Sequence, residues 1–204
     1  MTKEYVTLTD AYAETVILRS RFLAYLYHIE SEEEAAEKLA ALRKKHYDAT
    51  HVCYAYCADT EGHTVKFSDD GEPSSTAGAP IHSVISKGGY RQVLIAVVRY
   101  FGGTKLGVGG LVRAYTEAAI AATDNAKKQK YVLSNVYSAE SDYNSYGRIC
   151  ASVAAEAKIT VTEYGDTVKF LISVPSGSGI MKKLTDVTFG KIDFIERGEK
   201  YEIY

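Results

Sequence analysis

Three basic side chains, Arg99, Lys105 and Arg113, bracket a run in which five glycines fall within nine residues: Gly102, Gly103, Gly107, Gly109 and Gly110. Glycine lets a backbone fold close to a ligand with successive N–H groups turned the same way, and a helix that starts there adds partial positive charge. A mobile ammonium and two planar guanidinium forks then suit phosphate or carboxylate. The chemistry to expect is anion binding, with all eight residues as its candidates. The run lacks the Gly-Lys-Ser/Thr ending of a P-loop and the spacing of a dinucleotide fingerprint, so it is not a nucleotide signature. The competing architectural reading is that the glycines merely allow a tight strand-to-helix crossing.

A second group lies in the polar loop Ser68–Pro80. Asp69, Asp70 and Glu72 are carboxylates that can serve as acid, base or ligands to a divalent cation. An EF-hand needs an acidic residue eleven positions after its first Asp, and Pro80 and Ile81 stand there instead. The turn formers Asp-Gly and Glu-Pro explain the loop without a metal. His51, Ser74 and Thr76 join it as possible contact residues. Ser74, Ser75, His51 and His82 show no ordering as a triad and no Gly-x-Ser-x-Gly elbow, so no catalytic residue, metal or cofactor is assigned. The sparse cysteines Cys53, Cys57 and Cys150 read as reduced thiols, with Cys150 on a core stripe. Cys53 and Cys57 lie four residues apart on one strand, about 13 Å, too far for a disulfide.

The elements that must position these groups follow from periodicity. Ser31-Glu32-Glu33-Glu34 is a capping box ahead of a helix bearing Ala35, Leu39 and Leu42. His51–Ala58 alternates like a strand, and Val65–Phe67 is its hairpin partner across Gly62. Pro80 starts a short helix that Gly88-Gly89 ends. Gln92–Phe101 contains an unbroken apolar run, the mark of a central strand covered on both faces. The glycine loop leads into a helix with Leu111, Ala114, Tyr115, Ala118 and Ala122 on one side. The polar run Lys127–Lys130 is taken as a connector between domains at 1–127 and 131–204. Beyond it come a strand Tyr131–Ala139, a helix with Tyr146, Ile149, Cys150, Val153, Ala154 and Ala157 inward, a hairpin at Gly165-Asp166, a short helix at Ile180–Leu184 and a strand around Lys191–Glu196. This β-α-β-β-α-β order is the ferredoxin-like arrangement, and the fold class is α+β.

The chain has 204 residues, 46% hydrophobic and 25% charged, a globular balance. With 24 basic against 26 acidic residues and a net charge of -2, no overall attraction to a polyanion exists, and contact with nucleic acid has to rest on a local site. Met1–Asp10 has no apolar run behind a basic flank, and no stretch reaches the roughly 20 apolar residues of a membrane span. A cytoplasmic location with no membrane partner is expected.

The segment Arg99-Tyr100-Phe101-Gly102-Gly103-Thr104-Lys105-Leu106-Gly107 resembles the signature of the IMPACT family, in particular its bacterial YigZ-type members. Thr50–Tyr56, Ser68–Ser74 and Gly109–Tyr115 occur in the order and spacing of that family. Ser75 and Ala79 depart from it, standing where many members carry glycine and lysine. The resemblance implies a βαβ-rich first domain similar to RNase PH and a ribosomal-protein domain, and a second domain similar to one in elongation factor G. Eukaryotic members act in translational control by competing for a protein that activates a starvation-sensing kinase. The implied function is a non-enzymatic regulatory protein linked to translation that engages RNA, the ribosome or a protein partner. The alternative is a phosphate- or metal-dependent enzyme acting on RNA or nucleotides.

Overall fold

The computed structural model describes residues 3–204, which form two compact units, one of Tyr5–Gln129 and one of Lys130–Tyr204 with residues 3–4. The architecture is α+β. No described helix is long and apolar enough to cross a membrane.

The first unit is built on five antiparallel strands, in the order β2 (Ala11–Ile17), β3 (Ser20–His28), β6 (Val93–Tyr100), β4 (His51–Cys57) and β5 (Val65–Ser68). β1 (Glu4–Leu8) precedes them and helices α1 (Glu32–Lys45), α2 (Gly78–Gly88) and α3 (Gly107–Asn125) cover them. β6 is the expected central strand, with every residue from Val93 to Arg99 buried. Its Val93, Ile95 and Val97 join Cys53, Ala55 and Phe22 against Ile81 and Ile85 of α2 and Leu111, Ala114 and Ala118 of α3. Leu94 turns the other way and shares a cluster with Ala35 of α1. Strand parity therefore decides which helices each side chain meets.

Local signals act where the sequence places them. Ser31 Oγ accepts from the Glu34 N–H at 3.2 Å, while the Glu34 carboxylate accepts from the N–H of Glu30, one residue earlier than a standard capping box. Gly89 closes α2 in the left-handed region, φ 66°. Leu18 and Arg19, φ 47° and 65°, make the two-residue β2–β3 turn without a glycine.

In the second unit β7 (Lys128–Ser141) carries β10 (Ile195–Ile203) on one edge and β9 (Val168–Pro175) on the other, with β8 (Lys158–Tyr164) outside β9, all antiparallel. α4 (Tyr143–Val153) and α5 (Ile180–Val187) lay Ile149, Val153, Ile180 and Leu184 on Phe170, Ile172 and Val174 of the sheet. Three expectations shift. The polar run 127–130 holds the division between the two units but is strand and not loop, because β7 already begins at Lys128 and the Lys127 carbonyl accepts from the Thr9 N–H. The last strand starts at Ile195 and runs to Ile203, since its charged residues pair with β7 and need no apolar alternation. On α4, Cys150 is only half-buried and Ala154, at the C-cap, is exposed.

Candidate ligand cleft

Arg99 lies opposite both Phe22 and His51 in the sheet register. The period-two alternation of β6 places it in one row with Val93, Ile95 and Val97, on the face that α2 and α3 cover. It therefore points inward, with its guanidinium 5.5 Å from the Phe22 ring and 5.6 Å from the Phe101 ring. Its Nη1 donates to Glu72 Oε1 at 2.5 Å, and the two side chains are 6% and 3% exposed. The Tyr115 hydroxyl of α3 donates to the same oxygen at 2.8 Å. Burial, followed by the neighbouring Cys53 and Glu72, pushes the Tyr115 phenol well above its ordinary range. The Cys53 sulfur lies 3.0 Å from the Asp69 carbonyl and 3.3 Å from the Tyr115 hydroxyl, two acceptors for its one hydrogen, and burial raises the thiol to about 12.

Each carboxylate of the acidic loop is committed to a different element. Asp69 accepts from the amides of Ser75, Ala77 and Gly78 at 2.8, 2.9 and 2.8 Å, which ties the loop to the start of α2. Burial alone would raise its pKa, but those amide bonds outweigh burial and hold it below the usual carboxylate value. Asp70, at φ 45°, bonds Arg43 of α1 at 2.6 Å and the Val52 amide of β4 at 2.7 Å. Glu72 holds Arg99. The alternative in which these three carboxylates act together as metal ligands or as acid and base has this division of labour against it. Among the described residues no group of three metal-ligating side chains is found. Thr76 is also internal, its hydroxyl donating to the Pro73 carbonyl at 2.6 Å, and Ser74 is exposed.

The glycine loop is partly architectural. A Cβ on Gly102 would collide with the backbone of Arg19, so only glycine lets this loop pack on the β2–β3 turn, and the Gly102 amide donates to Ser20 Oγ at 3.1 Å. Gly103 and Gly107 occupy the left-handed region at φ 85° and 71°. The expectation of loop amides converging on a ligand is thus corrected for Gly102. The first turn of α3, containing Gly107, Gly109 and Gly110, has no side-chain cap and no acidic residue.

Beside that turn is a cleft of about 410 Å³. Its apolar lining comes from Pro73, Phe101, Leu106, Val108 and Leu111, and its polar lining from Thr50, His51, Glu72, Arg99 and Lys105. The His51 Nδ1 lies 2.8 Å from the Asp70 carbonyl, which can only accept, so Nδ1 carries the hydrogen and Nε2 is left 3.8 Å from Glu72 Oε1. The structure brings Arg99, Lys105 and Gly107 to one cleft with His51 and Glu72. Arg113 is exposed on α3 and does not line it, which corrects the expected convergence of three cations. Arg99 is likewise no free fork, because Glu72 occupies it. Sequence reasoning missed Phe101 and Val108, 48% and 64% exposed, whose signal was a large apolar side chain inside a glycine-rich turn.

The Impact N-terminal domain profile matches residues 18–123, the part of the chain that builds this cleft. The IMPACT family member YvyE of Bacillus subtilis (strain 168) is 34% identical over 204 residues, covering 98% of this chain and 93% of the relative. The IMPACT family member YigZ of Escherichia coli (strain K12) is 31% identical over 184 residues, with coverage of 88% and 90%. A solved structure titled as the crystal structure of a hypothetical protein is 28% identical, with a TM-score of 0.64 over 98% of this chain and 100% of that one. Similarity of this extent, over nearly the whole length and including the segment around the cleft, makes the chain a member of the IMPACT family.

Proposed function

We propose that this chain is a non-enzymatic, cytoplasmic binding protein linked to translation, and that the cleft beside α3 is its docking site for a polypeptide partner. The carrying observation is the cleft's composition: open apolar walls at Phe101 and Val108 beside a lining carboxylate, Glu72, that is already bonded to Arg99. Apolar contact, not proton transfer or phosphate neutralisation, is what such a surface offers. The family resemblance supports the link to translation, and eukaryotic members that compete for a protein support a polypeptide partner. The two compact units support domains at 1–127 and 131–204. In the second, the strand order β10-β7-β9-β8 supports a ferredoxin-like domain similar to one in elongation factor G.

Affinity capture with the full chain from nuclease-treated lysate tests this reading. A polypeptide retained by the unaltered chain and by Arg113→Ala, and lost with Val108→Asp, is the expected result. Loss of capture on nuclease treatment would point to RNA instead. Turnover of labelled RNA in the presence of phosphate and Mg²⁺ would establish the enzymatic alternative.

A further inference from the structure

We infer that the cleft recognises the free C-terminus of a polypeptide ending in an apolar residue, with the terminal carboxylate at the first turn of α3 and the last side chain against Phe101, Leu106, Val108 and Leu111. The inference rests on the docking reading above and adds the chemistry of what docks.

The first turn of a helix leaves backbone N–H groups without intrahelical partners, and here Leu106 at the N-cap has no side-chain oxygen to offer them. Gly107 and Val108 of that turn line the cleft. An independent feature points the same way. Arg99 also lines the cleft, its side chain is 6% exposed, and its buried Nε–H lacks a partner among the described residues. An unmet buried donor is costly, and an incoming acceptor relieves it. Lys105 adds an exposed ammonium at the rim.

Charge selects the kind of anion. Arg99 is already balanced by Glu72, and Arg113 stands outside the cleft, so Lys105 and the helix end remain as the positive elements. That suits a single negative charge better than a phosphate dianion. The walls then select what carries it, because five apolar side chains accept an aliphatic or aromatic group, while Glu72 and Arg99 beside them are already paired with each other. Ligand pockets run from about 300 to 1,000 Å³, so a cleft of about 410 Å³ is sized for a chain end and not for a long segment. Capture of a C-terminal carboxylate by backbone amides, with an apolar pocket reading the last side chain, is an established mode of peptide recognition.

The test uses the full chain and fluorescein-labelled hexapeptides ending in Leu, Val or Phe, each as free acid and as amide, read by polarisation. At least one free acid should bind about tenfold more tightly than its amide, the scale of one good charge-assisted contact. Lys105→Ala should shrink that ratio. Val108→Asp, which places a competing carboxylate in the first turn of α3, should abolish binding of both forms while far-UV circular dichroism stays unchanged. Acid and amide binding equally, or displacement by millimolar inorganic phosphate, would overturn the inference. N-acetyl-leucine competing as well as the peptide would overturn it too, since the recognised group would then be a small carboxylate. If acid and amide bind equally and both are lost in Val108→Asp, the docking reading survives alone. If no peptide binds and partner capture persists in Val108→Asp, both fail.

Discussion

Breaking the Glu72–Arg99 pair from one side should cost far more than removing it whole. Both side chains are almost fully buried, at 3% and 6% exposed, and they meet at 2.5 Å. Removing one partner strands a charge in a poorly solvated site, at about 3–5 kcal/mol, whereas replacing both with apolar groups of similar size is often close to neutral. Glu72→Leu and Arg99→Met should therefore each destabilise by about 3–5 kcal/mol, and the double variant by less than the larger single. Urea unfolding followed by far-UV circular dichroism gives the reading, as the chain has no tryptophan. With a slope of about 2 kcal/mol/M, a loss of about 4 kcal/mol lowers the midpoint by about 2 M. A single variant too unstable to give a folded baseline, beside a folded double, is the same result in stronger form. Singles that add to the double within about 0.5 kcal/mol would refute the reasoning, because independent sites add and coupled ones do not.

Asp69→Asn should lose about 1–3 kcal/mol at neutral pH through its weakened amide bonds. Because the folded-state pKa of Asp69 is depressed, its contribution is present above the unfolded carboxylate value and is lost as pH falls through the folded one, so the variant should show a flatter acid limb in urea titrations below about pH 4. Cys53 and Cys57 are buried and both are pushed up by burial, so in a native thiol titration with Ellman's reagent only half-buried Cys150 should react before unfolding. Gly102→Ala should lower the thermal midpoint by more than Gly103→Ala, since its Cβ meets the Arg19 backbone while the Gly103 substitution adds only a left-handed strain of about 1–2 kcal/mol.

Where local pattern and tertiary environment agree, the fold is legible in the residues. The unbroken apolar run of β6 requires two covered faces and has them, and the α3 stripe Leu111, Ala114, Tyr115, Ala118 and Ala122 is buried as spaced. β3 carries an apolar run of its own, Phe22–Tyr27, but nothing local names its partner, because the pairing with β6 joins residues far apart in the chain, Phe22 with Arg99 among them. The same holds in the site. Arg99 stands out by its place beside the glycine run, but its partner Glu72 lies 27 residues away on a loop whose path is set by Asp69 and Asp70. Strand parity alone turns Arg99 inward, which is enough to remove it from the set of free cations. The start of β7 is hidden for a different reason: Lys127–Lys130 is polar enough to pass for a linker, yet strand pairing asks only for backbone groups.

The acidic loop, fastened to α2 through Asp69, to α1 and β4 through Asp70 and to β6 through Glu72, has no slack left to take up. A visitor to the cleft therefore meets one wall already in its final shape, and little of its affinity is consumed in ordering that wall. Encounter should proceed in a single kinetic step, with selectivity among visitors expressed in how long each one stays.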